Sequence, residues 1–165
     1  MRVLIAYGSK RGATAGLAVM IGDAFADAGA EVDVVRAGDV HDLSGFDAVV
    51  VAGALYANRW HRHARRFVRR HAAELRGKPV WLVSSGPLDD SAAQGEIAPV
   101  RQVAKLAARI GARGHKTFGG ALDADVRGFP ASALAKTHAG DWRDPVAVRA
   151  WVQGVRAQLP LSESN

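Results

Sequence analysis

Val3-Leu4-Ile5-Ala6, Phe46 to Ala52 (FDAVVVA) and Pro79 to Ser84 (PVWLVS) are apolar at nearly every position. None shows the alternation of a strand with one wet face. A short run that is apolar on both sides must be covered on both sides, as in a parallel sheet held between two layers of helix. Glu31 to Val35 (EVDVV) does alternate, which suits an edge strand. His115 to Phe118, extended into Gly119-Gly120-Ala121-Leu122, reads as a fifth strand.

Helical patterns lie between the strands. From Thr14 to Ala28, the residues Leu17, Met20, Ile21, Ala24 and Ala28 recur at three- and four-residue spacing, and Gly29 is suited to a left-handed stop. Arg59 to Leu75 carries the stripe Trp60, Ala64, Phe67, Val68 and Leu75. Val100 to Ile110 turns Val103, Leu106, Ala107 and Ile110 inward and closes at Gly111. Asp144 caps a last helix with Pro145 at its first position and Val148, Trp151, Val152, Val155 and Leu159 as its apolar face. Gly38 to Gly45 leaves room for no more than a helical turn, and 123–143 is irregular, with a short helix expected around Pro130 to Lys136. Right-handed crossovers then predict an α/β fold, a three-layer doubly wound sheet of five parallel strands. The expectation is a single domain over residues 1–165, with 160–165 a disordered tail.

Composition narrows the chemistry. There is no cysteine among the 165 residues, which excludes disulfides, thiol catalysis and cysteine-ligated metals. Met1 leads straight into a strand, and no apolar run approaches the roughly 18 residues of a membrane span, so the cytoplasm is the expected compartment. Asp89-Asp90 and Asp123/Asp125 lack a second ligand cluster, and no metal is expected. Residues 59–71 (RWHRHARRFVRRH) hold six arginines, three histidines and no acid. With those six set aside, the 22 basic side chains fall to 16 and balance the 16 acidic ones, so the whole net charge of +6 sits there. The segment Arg59 to Arg70 reads either as the solvated face of an arginine-rich chain or as a docking surface. The docked group would be an acidic redox partner, an anionic small molecule or, peripherally, an anionic membrane face. No aromatic interleaving or recognition motif accompanies the arginines, which argues against nucleic acid. His61 and His63 are either surface residues or proton relays, and His115 has no partner legible in the sequence.

The turn after the first strand, Tyr7-Gly8-Ser9-Lys10-Arg11-Gly12-Ala13-Thr14, holds the chemistry. A helix N-terminus offers unpaired N–H groups and a partial positive charge, so a polar glycine-broken turn there suits an anion. Gly8 and Gly12 do not make G-x-G-x-x-G, and no Lys-Ser or Lys-Thr follows Gly12, so the dinucleotide and P-loop patterns fail. The first strand ends in Tyr7-Gly8 and the third in Ala52-Gly53, without the acids of a phospho-acceptor domain. What remains is hydroxyl-x-x-glycine-x-hydroxyl, which serves either as a monophosphate cradle or as a plain turn and helix cap.

Ser9, Lys10, Arg11, Gly12, Ala13 and Thr14 resemble the phosphate loop of flavodoxins, [ST]-x-[ST]-G-x-[ST], with Arg11 standing where a hydroxyl residue is usual. With GALYANRW, SSGPL, GARGHKTFGGALD and GDWRDPVAVRAW, the chain from Arg2 to Leu159 is similar to a bacterial flavodoxin-domain family related to menaquinone-dependent protoporphyrinogen oxidase. The resemblance implies strand order 2-1-3-4-5, FMN as cofactor, and an oxidoreductase acting in electron transfer. A plain FMN carrier, a cofactor-free interaction domain and a related flavin such as a deazaflavin stay open. It also implies that the loops after strands three and four clasp the flavin ring: Ala54, Leu55, Tyr56, Ala57 and Asn58, then Ser85, Gly86, Pro87 and Leu88. Tyr56 is the expected stacking residue, Trp60 the expected core residue, and Ala57–Asn58 the peptide that flips beside flavin N5. No catalytic side chain is assigned.

Overall fold

The computed structural model describes residues 1–10, 12–86, 91–122 and 140–160. Its frame is β1 (Arg2–Gly8), β2 (Glu31–Arg36), β3 (Ala48–Tyr56), the short β4 (Arg59–Trp60), β5 (Val80–Ser85) and β6 (Gly114–Phe118). The parallel strands stand in the order β2-β1-β3-β5-β6, with β4 antiparallel on β3. This is the flavodoxin-like order expected from the sequence. Ile5 lies opposite Val34 on one side and Val50 on the other, and Val50 lies opposite Trp81.

Successive side chains of a strand point to opposite faces, so each apolar run feeds two cores. Leu4, Ala6, Val49, Val51 and Leu82 pack with Trp60, Phe67, Val68, Leu75 and Leu106. These last come from β4 and from α2 (Arg62–Arg70), α3 (Ala72–Leu75) and α4 (Arg101–Ile110). On the other face Val3, Ile5, Val50 and Val83 pack with Leu17, Ile21, Phe25 and Val152, from α1 (Gly12–Asp27) and α5 (Pro145–Ala157). Among the described residues, no helix is long and apolar enough to cross a membrane.

Several boundaries differ from expectation. The first helix begins at Gly12 and ends at Asp27; Ala28 is exposed, and Phe25, outside the expected stripe, is fully buried. Gly29 and Gly111 are left-handed, with φ of 89° and 63°. The third strand starts at Ala48 and runs through Tyr56, so most of the expected loop is strand. The expected helix 59–75 is three elements: β4, α2 and α3, with His71 between the helices at φ −102° and ψ 17°. The fifth strand ends at Phe118, and Ala121–Leu122 is a separate β7 pairing antiparallel with β8 (Gly140–Asp141). Asp144 caps α5 as expected, its Oδ1 accepting from the N–H groups of Val146 (2.9 Å) and Ala147 (3.2 Å). The short helix expected at Pro130 to Lys136 lies outside the described residues.

Candidate functional site

The sheet register brings the three predicted segments to one edge. Gly8 pairs with Gly53, Gly53 with Ser84, and Ala54 with Ser85. The carboxyl ends of β1, β3 and β5 are therefore neighbours, which is where doubly wound folds hold their ligands.

At β1, Ser9 and Lys10 connect the strand to α1, whose first residues are Gly12, Ala13 and Thr14. Thr14 is buried, Ser9 and Ala13 are half-buried, and Lys10 and Gly12 are exposed. Arg11 lies outside the described residues. The first turn of α1 carries no acid. Among the described residues, a Cβ on Gly12 would meet nothing within 4 Å. That open space leaves the backbone of Gly12 accessible to close approach of a ligand. The donor set here is two hydroxyls, the N–H groups of a sixteen-residue helix and a lysine, with no carboxylate from Tyr7 to Thr14. That chemistry fits a phosphate monoester.

At β3 the chain makes a two-residue hairpin rather than an open loop. Tyr56 pairs with Arg59 and Leu55 with Trp60, leaving Ala57 and Asn58 at the tip with φ of 47° and 60°. Two left-handed residues define the turn whose twist matches a hairpin. Asn accepts that backbone readily, and Ala does so at a cost of roughly 1–2 kcal/mol. The expected special peptide at Ala57–Asn58 therefore sits on strained backbone, as functional loops often do. Ala54, Leu55 and Tyr56, expected in a loop, belong to the strand leading to it. Trp60 is 1% exposed and packs in the core.

At β5, Ser84 and Ser85 are buried and Gly86 follows, its N–H donating to the Phe118 carbonyl at 3.3 Å. A Cβ on Gly86 would stand 3.0 Å from Leu55 Cδ1. The two expected ring-clasping segments thus meet at Leu55 and Gly86. Pro87 and Leu88 lie outside the described residues.

Two polar features were not legible in the sequence. Ser84 Oγ and His115 Nε2 are 2.8 Å apart across β5 and β6, with Ser84 1% exposed and His115 Nδ1 buried without a partner among the described residues. Burial holds the His115 imidazole below its ordinary pKa. His61 caps α2: its Nδ1 accepts from the His63 N–H at 3.2 Å. Burial lowers its pKa first, then the positive charges of His63, Arg62 and Arg65. A Cβ on Gly8 would be 2.6 Å from Ala64 N and 3.2 Å from His61 Nδ1. The start of the basic helix thus lies against the end of β1 because residue 8 has no side chain. Among the described residues, no group of three His, Cys, Asp or Glu side chains gathers as a metal site.

The comparisons with known proteins agree with this fold. The chain is similar to oxidised Flavodoxin 1 from Bacillus cereus, with a TM-score of 0.64 at 14% identity, covering 97% of this chain and 100% of that one. It is also similar to the flavodoxin of Streptococcus pneumoniae TIGR4, at a TM-score of 0.63 and 18% identity, covering 96% and 100%. Rubredoxin oxygen:oxidoreductase from Desulfovibrio gigas gives a TM-score of 0.58 at 15% identity, covering 94% of this chain and 37% of that one. At these identities the likeness carries the fold. No curated protein matches the sequence. A Flavodoxin domain family model matches residues 4–130, and the chain therefore belongs to the flavodoxin domain family, which implies FMN as its cofactor.

Proposed function

We propose that this protein binds FMN at the edge formed by β1, β3 and β5 and works in electron transfer. The observation that carries the reading is the turn at Ser9 to Thr14. It is an acid-free anion cradle whose Gly12 meets no packing demand among the described residues, and its strand pairs with the hairpin strand β3, which in turn pairs with β5. Ser9, Lys10, Thr14 and the first N–H groups of α1 hold the phosphate. Tyr56, the Ala57–Asn58 tip and Gly86 border the ring. FMN supplies one- and two-electron redox chemistry; the chain supplies binding, exclusion of water and the charge around the site. The test is titration of the cofactor-free protein with FMN, read by quenching of flavin fluorescence. Saturable quenching that Gly12→Asp abolishes supports the reading. Absence of quenching overturns it.

The basic helix favours a finer reading, an FMN-dependent oxidoreductase of the protoporphyrinogen-oxidase-related group with an anionic substrate or acidic redox partner. Arg59, Arg62, Arg66, Arg69 and Arg70 are exposed, and α2 begins one residue after the hairpin. A substrate bearing carboxylates would meet this charge beside the proposed flavin. Turnover of protoporphyrinogen by the FMN-loaded protein with a quinone acceptor decides between enzyme and plain carrier.

A further inference from the structure

The β8–α5 connection reaches the first turn of α1, and it lies beyond the residues that the family model matches. Trp142 anchors it: its N–H donates to the Gly120 carbonyl at 2.9 Å, and a Cβ on Gly119 would collide with the Trp142 backbone. Arg143 follows. Its Nε donates to Asp141 Oδ1 at 3.0 Å and its Nη2 to Asp141 Oδ2 at 2.8 Å. The remaining nitrogen, Nη1, points to α1. It donates to the Ala13 carbonyl at 3.4 Å and lies where a Cβ on Gly16 would be.

This is the wrong place for a cation by helix electrostatics alone. The N-terminal end of a helix carries partial positive charge and attracts acids, yet the first turn of α1 has none. Lys10 precedes it in the chain and Arg143 stands at its side. Asp141 offsets one of these charges and fixes the guanidinium plane. An anion at the helix end reverses the sign of the remainder, turning a repulsive cluster into a pre-organised one.

We propose that Arg143 belongs to the phosphate cradle as a positioning residue that makes the site select phosphorylated flavins over unphosphorylated ones. The proposal rests on the FMN reading above. The guanidinium acts from the flank of α1, bonded to Ala13 of the Ser9–Thr14 stretch, and adds positive field to that end of the helix. Gly16 is part of the device, because any larger residue would displace Nη1.

The test compares FMN with riboflavin, which share the ring and differ in the phosphate. The cofactor-free protein, Arg143→Gln, Arg143→Lys and Gly16→Ala are each titrated with both, at low and at moderate salt. Arg143→Gln should raise the FMN dissociation constant about tenfold at low salt and leave that of riboflavin within about twofold, with the difference shrinking as salt screens the charge. Arg143→Lys should recover part of the loss. Gly16→Ala should reproduce it in a helix made intrinsically stronger, which separates the charge from any failure to fold. Equal weakening of both ligands would overturn the proposal in favour of a purely structural tie between α5 and α1. So would an FMN affinity unchanged by Arg143→Gln. Failure of the unaltered protein to bind FMN at all would overturn the FMN reading, and this inference with it.

Discussion

The indole of Trp60 lies across the Cα of Gly53, so closely that a Cβ on residue 53 would fall on Nε1, Cε2 and Cδ1 of the ring. Trp60 is 1% exposed, and its Nε1 is buried without a partner among the described residues. The missing side chain at residue 53 lets the β3–β4 hairpin fold down on the sheet beside the proposed cofactor edge. Gly53→Ala must move either the indole or the hairpin. Overpacking of this kind costs about 1–3 kcal/mol, so a lower urea midpoint with an unchanged slope is expected. Tryptophan emission should also shift to the red as the ring gains water. Unchanged stability and emission would show that the ring has room to spare.

Ala57 and Asn58 make the hairpin tip on left-handed backbone, and both are exposed. Their side chains therefore contribute little to packing, and substitutions there report mainly on the backbone. Ala57→Gly should stabilise the cofactor-free protein by about 0.5–1 kcal/mol, since glycine adopts φ near 47° without the steric penalty of a Cβ. Ala57→Val should destabilise by more than about 1 kcal/mol, because a β-branched side chain tolerates that region worst. Asn58→Gly should be close to neutral. Thermal midpoints of the three variants give the order, and a destabilised Ala57→Gly would contradict the strain.

The sheet was readable because its central strands are apolar on both faces, and only one architecture covers such strands. Its strand order followed from the family resemblance, and the passage from β1 into α1 was readable from the polar, glycine-broken stretch after Tyr7. The hairpin was not, because its signals are the left-handed Ala57, a poor turn residue by propensity, and pairing between Leu55 and Trp60. At helical spacing from Ala64 and Phe67, Trp60 also mimics the first residue of α2. Ser84–His115 and Arg143–Ala13 join residues |i−j| of 31 and 130 apart in the chain. Contacts made by tertiary register leave no local pattern, and one sequence alone cannot reveal them.

His61 links acidity to the start of the basic helix. Its Nδ1 must be unprotonated to accept the His63 N–H. Burial, followed by the nearby His63, Arg62 and Arg65 charges, lowers its pKa from the ordinary 6.5. The unfolded chain therefore takes up this proton first as pH falls. Stability from this group is fully present above the ordinary value and is lost as pH falls through the lowered one. His115, lowered by burial, adds a contribution of the same sign. Urea midpoints between about pH 8 and pH 5 should decline in this way. His61→Asn keeps a side-chain cap that does not titrate, so its decline should be shallower than that of the unaltered protein. An identical slope would remove His61 from the account.

The arginines of α2 should govern which oxidant reaches the reduced FMN-loaded protein fastest. Arg62, Arg66, Arg69 and Arg70 are exposed, and their segment carries the entire net charge of +6. Arg65 is half-buried, with its Nε donating to the Trp60 carbonyl at 3.1 Å, so it is better left in place. A concentrated positive face raises encounter rates with anions and lowers them with cations, and salt weakens both effects. Ferricyanide should therefore oxidise the reduced protein faster at low salt than at high salt, and hexaamminecobalt(III) should show the opposite trend. Reversing Arg66→Glu and Arg69→Glu together should slow ferricyanide about tenfold at low salt, speed the cobalt complex, and bring the rates towards those of the unaltered protein at high salt. A change of equal size and sign for both oxidants would point to a disturbed flavin site. No change would mean that the basic face lies too far from the path of the electron to steer it.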